Sequence, residues 1–153
     1  MGGTIVCDVT DALEGQSAAQ LANALGARLR LRVVLAVVVE GLEPPAGESV
    51  TGRERESGAE RALAAIADEL GPDVETRVAL GDHAEALARV AAEEGADLVI
   101  VGARAAGLGG RNLRCRRVPD LEAATPVPVL VAPPSTRKRS GLRLTPAAEA
   151  GTR

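Results

Sequence analysis

Residues 81–102 have the sequence GDHAEALARVAAEEGADLVIVG, an amphipathic helix followed directly by an apolar strand. The side chains on one face of this helix are small or apolar: Ala84, Leu87, Val90 and Ala91. Asp82 stands at a natural N-cap position, and Gly95 is a natural stop for the helix. Residues 98–101 are Leu-Val-Ile-Val, which predicts a strand that is buried on both faces and ends at Gly102.

The same alternation of strand and helix continues in both directions along the chain. Further strands are predicted at Thr4 to Cys7 (closed by Asp8), 29–38, 74–80 and 127–131. Further helices are predicted at about 18–25 with a stop at Gly26, at 53–70, and near 113–124 or from about Pro119. At the start of the second strand, Leu29, Leu31 and Val33 alternate with arginines, which predicts that these three side chains share one face.

Five strands that alternate with four helices predict a parallel sheet covered by helices on both faces. The first, second and fourth strands are the most hydrophobic and are therefore expected at the centre. The predicted fold is a doubly wound, Rossmann-like α/β sheet of order 3-2-1-4-5. Ligands of such sheets bind at the carboxyl ends of the strands where the strand order reverses, here between strands one and four.

Length and composition exclude several classes of protein. The 153 residues fit one α/β domain, predicted at 1–133, with a polar and disordered tail at 134–153. The chain contains no Phe, Tyr or Trp, so its core must be aliphatic and it has no aromatic platform for stacking bases. Eighteen basic and 21 acidic residues give a net charge of −3, which argues against nucleic-acid partners.

The cysteine and histidine content argues against disulfides and zinc. Cys7 and Cys115 are far apart and the chain has one histidine, so neither a disulfide framework nor a zinc site is expected. The longest apolar run, Val33 to Val39, has seven residues, whereas a membrane span needs roughly 20. Together with the lack of a signal peptide pattern, these features predict a soluble, cytoplasmic protein.

The lone histidine and the two cysteines are the remaining candidates for chemistry. His83 could act as a general base, but without a carboxylate or nucleophile at a telling spacing it is predicted to be solvent-exposed in the first turn of its helix. Cys7 is predicted to be a buried, inert thiol. Cys115 is flanked by arginines, which favour a reactive thiolate and a redox role, and the alternative is that it merely fills its position. No catalytic motif is present in the sequence, so the protein is predicted not to be an enzyme.

Over about residues 4–133 the sequence resembles the universal stress protein family. Four stretches carry the resemblance: Ile5-Val6-Cys7-Asp8-Val9-Thr10, Leu25-Gly26-Ala27-Arg28-Leu29, the segment from Gly81 to Gly102, and Thr125-Pro126-Val127-Pro128-Val129-Leu130-Val131. The resemblance implies a stress-response regulatory module. The family contains a nucleotide-binding and a non-binding branch.

The nucleotide-binding branch has Gly-x2-Gly-x9-Gly-Ser/Thr after the fourth strand, where backbone amides wrap phosphates. Counted from Gly102, the three later positions hold Ala105, Cys115 and Arg116, so one position of four matches. A Cβ at position 115 would lie where a phosphate is expected. The resemblance therefore implies a non-enzymatic module that binds ATP poorly or not at all.

The alternative is an adenine-nucleotide binding protein that uses a shifted, Gly- and Arg-rich loop, with Mg²⁺ carried by ATP or AMP and slow or no hydrolysis. Its candidate crevice consists of Asp8, Thr10, Val101, Gly102, Arg104, Gly107 and Arg116. Asp8 would contact the nucleoside by analogy with the family, or it is a turn carboxylate with Asx geometry, and Thr10 follows the same logic. The arginines of the loop bind an anion or form a solvated surface.

The resemblance also implies a homodimer, because family members commonly dimerise through the last strand. Here the interface would be formed by Val127, Val129 and Val131. An apolar strand at the edge of a sheet otherwise invites uncontrolled pairing.

Overall fold

The computed structural model describes residues 2–10, 12–40, 52–102 and 117–133. Strands and helices alternate along these residues: β1 (Thr4–Asp8), α1 (Ala12–Leu29), β2 (Arg32–Val39), α2 (Gly52–Leu70), β3 (Val74–Leu80), α3 (His83–Glu93), β4 (Leu98–Gly102), α4 (Arg117–Ala124) and β5 (Val129–Ala132). The predicted tail at 134–153 lies outside the described residues. Within them, no helix is both long enough and apolar enough to cross a membrane.

The five strands form one parallel sheet of order β3-β2-β1-β4-β5, which confirms the predicted fold and strand order. β1 is the central strand, and Ile5 lies between Val33 of β2 and Leu98 of β4. The chain passes from β1 to β2 and β3 on one side and returns to β4 and β5 on the other. The strand order therefore reverses between β1 and β4, where a crevice is expected at the carboxyl ends.

The central strands are buried on both faces and support two aliphatic clusters. On one face, β-branched side chains of the sheet pack against α3 and α4: Val6, Val34, Val38, Val99 and Val101 with Leu87, Val90 and Leu121. On the other face, the intervening residues pack against α1 and α2: Ile5, Cys7, Leu35 and Ile100 with Ala18, Ala22 and Leu63. Burial on both faces explains the continuous hydrophobic runs in these strands.

The prediction for the end of α1 was wrong. The helix continues past Gly26 to Leu29, and β2 begins only at Arg32. Arg30 has a φ of 56°, and the Leu31 N–H donates to the Gly26 carbonyl at 2.9 Å, which is a Schellman motif formed without glycine at the left-handed position. Gly26 serves packing instead, since a Cβ there would lie 2.5 Å from Cγ2 of Val33.

Of the last two elements, α4 starts close to the predicted Pro119, and β5 starts later than predicted. Helix α4 starts at Arg117 with Pro119 in its first turn, where the missing N–H costs no helical hydrogen bond. Strand β5 starts at Val129 instead of Val127. The Val127 N–H donates to Oγ1 of Thr125 at 3.2 Å.

The turn before α3 ties the start of this helix to the end of β2. Gly81 has a φ of 123°, and its N–H donates to the carbonyl of Val39 at 3.1 Å. Such a φ strains any residue with a Cβ. A carboxylate oxygen of Asp82 then accepts the Glu85 N–H at 3.2 Å, which confirms Asp82 as the N-cap.

The opposite end of α3 is fixed to the sheet by charged side chains. Arg77 of β3 contacts Glu94 at 2.6 Å and Glu93 at 2.5 Å, and Arg32 of β2 contacts Glu94 at 2.5 Å. The hydrogen bond from Arg77 is the main reason that the pKa of Glu94 lies below its ordinary value. With both ends held, α3 has a defined position across β2 and β3.

Candidate functional site

The candidate crevice lies where β1 and β4 end side by side. Cys7 and Ile100 are paired across the two strands, and Asp8 and Val101 follow them directly. Asp8, Val101 and the terminal Gly102 are all buried. The structure therefore places three of the predicted crevice residues, Asp8, Val101 and Gly102, at the carboxyl ends of these strands. A fourth, Thr10, follows Asp8 by two residues and is hydrogen-bonded to it.

Asp8 forms hydrogen bonds through both of its carboxylate oxygens. Oδ1 accepts the Thr10 N–H at 3.0 Å and also the Thr10 hydroxyl. The same hydroxyl oxygen accepts the Val38 N–H at 3.2 Å, so the turn after β1 is tied to the end of β2. Oδ2 lies 2.7 Å from Nε2 of His83. The contact to the Thr10 N–H is the Asx geometry considered for Asp8.

The prediction for His83 was wrong. Instead of being exposed in the first turn of α3, His83 is 3% exposed and has a carboxylate partner, Asp8, 75 positions away in sequence. The turn at Gly81 starts α3 beside the end of β2, and the imidazole reaches from there across to β1. Local sequence spacing could not reveal this contact because it depends on the order of strands in the sheet. The available signal was a lone histidine placed directly after an N-cap at a strand end.

The carboxyl group of Asp8 is held in its ionised form. Burial alone would raise its pKa, but the hydrogen bond and charge of His83 and the two hydrogen bonds from Thr10 outweigh burial. The pKa of Asp8 is therefore lowered from the ordinary value of 3.8. A buried carboxylate is stable only where such partners compensate for its lost hydration.

Cys7 lies beside this carboxylate in the strand but faces the α1 side of the sheet. It is fully buried, as predicted. Burial raises the pKa of its thiol well above the ordinary value, and the negative charge of Asp8 raises it further. The thiol therefore stays protonated, and it is a poor nucleophile.

The phosphate side of the predicted crevice lies outside the described residues. This holds for Arg104, Gly107 and Arg116 of the candidate site, and for Ala105 and Cys115 of the degenerate glycine pattern. The expected anion site and the redox role of Cys115 therefore stay predictions.

The described part of the crevice offers hydrogen-bonding groups rather than a catalytic set. The hydroxyl of Thr10 is bonded to Asp8 and not to His83, so these residues do not form a hydroxyl–imidazole–carboxylate relay. Across the described ranges, no group of three or more His, Cys, Asp or Glu side chains could hold a metal ion. Within the described residues, Asp8 accepts three hydrogen bonds from Thr10 and His83, of the roughly four that a carboxylate can accept.

The sequence model of the universal stress protein family matches residues 6–133 of this chain. The match covers every described strand and helix apart from the first two residues of β1. No curated protein sequence is significantly similar to the chain.

Several solved structures share this fold at low sequence identity. A universal stress protein crystallised in complex with cAMP is 19% identical, with a TM-score of 0.63 over 87% of this chain and 98% of the other. A family member from Burkholderia pseudomallei is 23% identical, with a TM-score of 0.63 over 87% and 96%. A family member from Arabidopsis thaliana with AMP bound is 12% identical, with a TM-score of 0.58 over 89% and 94%.

Proposed function

The chain belongs to the universal stress protein family, and from this premise we propose that it is a non-catalytic, cytoplasmic regulatory module of the stress response with little or no affinity for ATP. The observation that carries the proposal is the state of Asp8. Thr10 and His83 bind both of its oxygens in a buried position, so most of the accepting capacity of this carboxylate is used inside the protein.

The sequence of the phosphate side supports the same function. Family members that bind nucleotides use small residues there because the backbone must approach the phosphates closely. Ala105, Cys115 and Arg116 replace a glycine, a glycine and a hydroxyl residue of that pattern. The phosphate side of the crevice thus lacks three of the four residues with which the family's nucleotide-binding branch holds phosphates.

A second candidate function is the binding of an adenine nucleotide. The solved relatives with cAMP and AMP hold ligands with a single phosphate. A loop needs fewer contacts to bind one phosphate group than to bind the three of ATP. In this chain Asp8 and Gly102 end neighbouring strands at the edge where such a ligand would lie. Arg104, Gly107 and Arg116 would then supply the anion site, and Mg²⁺ would enter with the nucleotide if at all.

Ligand-dependent melting separates these two functions. We expect ATP at millimolar concentration to leave the melting temperature unchanged, because a ligand stabilises a protein only if it binds the folded state. A ligand at 100 times its dissociation constant would add about 2.7 kcal/mol to the free energy of unfolding. AMP and ATP are compared with GTP and pyrophosphate as controls. A rise in melting temperature that is specific to ATP contradicts the first function, and one that is specific to AMP favours the second.

Dimerisation through β5 is part of the proposed function. Within the described residues β5 pairs only with β4, so its other edge is available. Val127, Val129 and Val131 are half-buried on one face of this edge, and Leu130 is 39% exposed on the other.

We expect Val129→Lys to convert the dimer into monomers, because a lysine charge would be desolvated in a strand-to-strand interface. Light scattering after size-exclusion chromatography measures the mass. The matched control is Thr76→Lys on β3, the opposite edge of the sheet, which should remain dimeric. A monomeric wild-type protein, or an unchanged dimer in Val129→Lys, contradicts this interface.

A further inference from the structure

The partners of Asp8 differ in where they come from. Thr10 is two residues away, and its two hydrogen bonds to Oδ1 belong to the turn that β1 itself forms. His83 belongs to α3 and reaches Oδ2 from 75 positions along the chain. If the imidazole withdrew, the turn and its link to Val38 would keep all of their hydrogen bonds. Of these partners, His83 is therefore the one that can be exchanged.

Only one of the two ring nitrogens of His83 has a hydrogen-bond partner among the described residues. Nε2 is bonded to Asp8, but Nδ1 is buried and has no hydrogen-bond partner among the described residues. A buried polar atom without a partner costs free energy relative to the same atom in water. Among the described residues, the inward ring is therefore held by a single hydrogen bond, to Asp8, and a ring that moves out exposes Nδ1 to water.

The position that His83 occupies has the chemistry of a donor site. The carboxylate is ionised, buried and aimed at Nε2, so whatever replaces the ring must donate a hydrogen bond. A nucleoside offers hydroxyl and amino donors of this kind. Both classes of donor can form charge-assisted hydrogen bonds to a carboxylate.

We propose that His83 determines access to the crevice: its imidazole occupies the hydrogen-bonding position on Asp8 that a donor group of a nucleoside would otherwise take. This inference rests on the proposed function and supplies its cause, since the low affinity then comes from an internal competitor as well as from the altered phosphate loop. His83 acts on the crevice through Asp8, by occupying one of its oxygens.

The test compares substitutions of His83 that remove or keep the hydrogen bond. In His83→Ala, Oδ2 of Asp8 is released, and we expect adenosine and AMP to bind at least about tenfold more tightly than to the wild-type protein, as measured by titration calorimetry near neutral pH. Tenfold corresponds to about 1.4 kcal/mol, less than a hydrogen bond to a charged group contributes. In His83→Gln, the amide nitrogen can take the place of Nε2, so the affinity should stay at the wild-type level.

Two further variants complete the experiment. In the double variant Asp8→Asn with His83→Ala the gain should disappear, because the charged acceptor is gone. His83→Asn, whose side chain is too short to reach Asp8, replaces His83→Ala if the alanine variant does not fold. A purely structural role of His83 would lower stability in these variants without any gain in affinity.

The outcomes separate this inference from the proposed function. Equal affinities of wild type, His83→Ala and His83→Gln overturn the role of His83, whether these affinities are measurable or not. The wild-type titration with ATP decides the proposed function independently, since tight ATP binding contradicts it whatever the variants do. Failure of His83→Ala and His83→Asn alike to fold assigns His83 to stability and also overturns the inference.

Discussion

Asp8→Ala is expected to lower the free energy of unfolding by about 3 kcal/mol. Asp8 is 5% exposed, and its removal leaves the His83 Nε2 and the Thr10 N–H without their acceptor inside the protein. Each buried polar group that loses its partner costs about 1–3 kcal/mol. Urea unfolding followed by circular dichroism measures the loss, and a change in midpoint without a change in slope identifies it as a loss of stability.

The matched control is Asp73→Ala, which removes the same side chain from an exposed turn. Its free energy of unfolding should lie within about 0.5 kcal/mol of the wild-type value. Asp8→Asn should fall between the two, because the amide oxygen can still accept from Thr10. A loss below about 1 kcal/mol in Asp8→Ala would contradict the hydrogen bonds assigned to this carboxylate.

The same residue predicts how stability depends on pH. Burial raises the pKa of Asp8, but His83 and Thr10 lower it further than burial raises it, so the folded-state pKa lies below the unfolded value. A group with a lowered folded pKa stabilises the protein above its unfolded pKa and loses this contribution as the pH falls through the folded pKa. The stability difference between wild type and Asp8→Asn should thus shrink as the pH falls below about 4.

The sequence was sufficient for the architecture because elements alternate along the chain and the three central strands are long apolar runs, although β5 is an apolar strand at an edge. The ranking that placed the first, second and fourth strands at the centre has a direct physical basis, since strands covered on both faces must be apolar throughout. β3, with Glu75, Thr76 and Arg77, belongs to an edge for the same reason. The ends of helices and strands are harder to predict, because one residue type can serve two purposes. Glycine commonly ends a helix, but Gly26 lies inside α1, where a Cβ would collide with Val33.

The candidate site divides in the same way between local and long-range features. The turn from Asp8 to Thr10 depends on residues two positions apart, so it could be predicted from the residue types. The contact between Asp8 and His83 joins the first strand to the third helix, and no pattern of spacing along the chain contains it. It follows only once the strand order and the direction of α3 are known together.

The second large effect is expected at Leu35, which lies in β2 and is fully buried. Leu35→Ala should lower the free energy of unfolding by about 3 kcal/mol, within the range of 2–5 kcal/mol for such changes. The core of this chain is aliphatic throughout, and the rigid sheet allows little collapse around the vacated volume. Differential scanning calorimetry should show a melting temperature lower by roughly 6–12 °C.

Leu29→Ala is the matched variant for Leu35→Ala, because the sequence pattern places both leucines in one strand. If residues 29–38 formed that strand, Leu29 would share a face with Val33 and its loss would also create a cavity. In the structure Leu29 is the last residue of α1 and is 60% exposed. Truncation to alanine, the residue with the highest helix propensity, should then change the free energy of unfolding by no more than about 0.5 kcal/mol. A loss of stability at Leu29 as large as that at Leu35 would contradict the observed end of α1 and favour the strand predicted at residues 29–38.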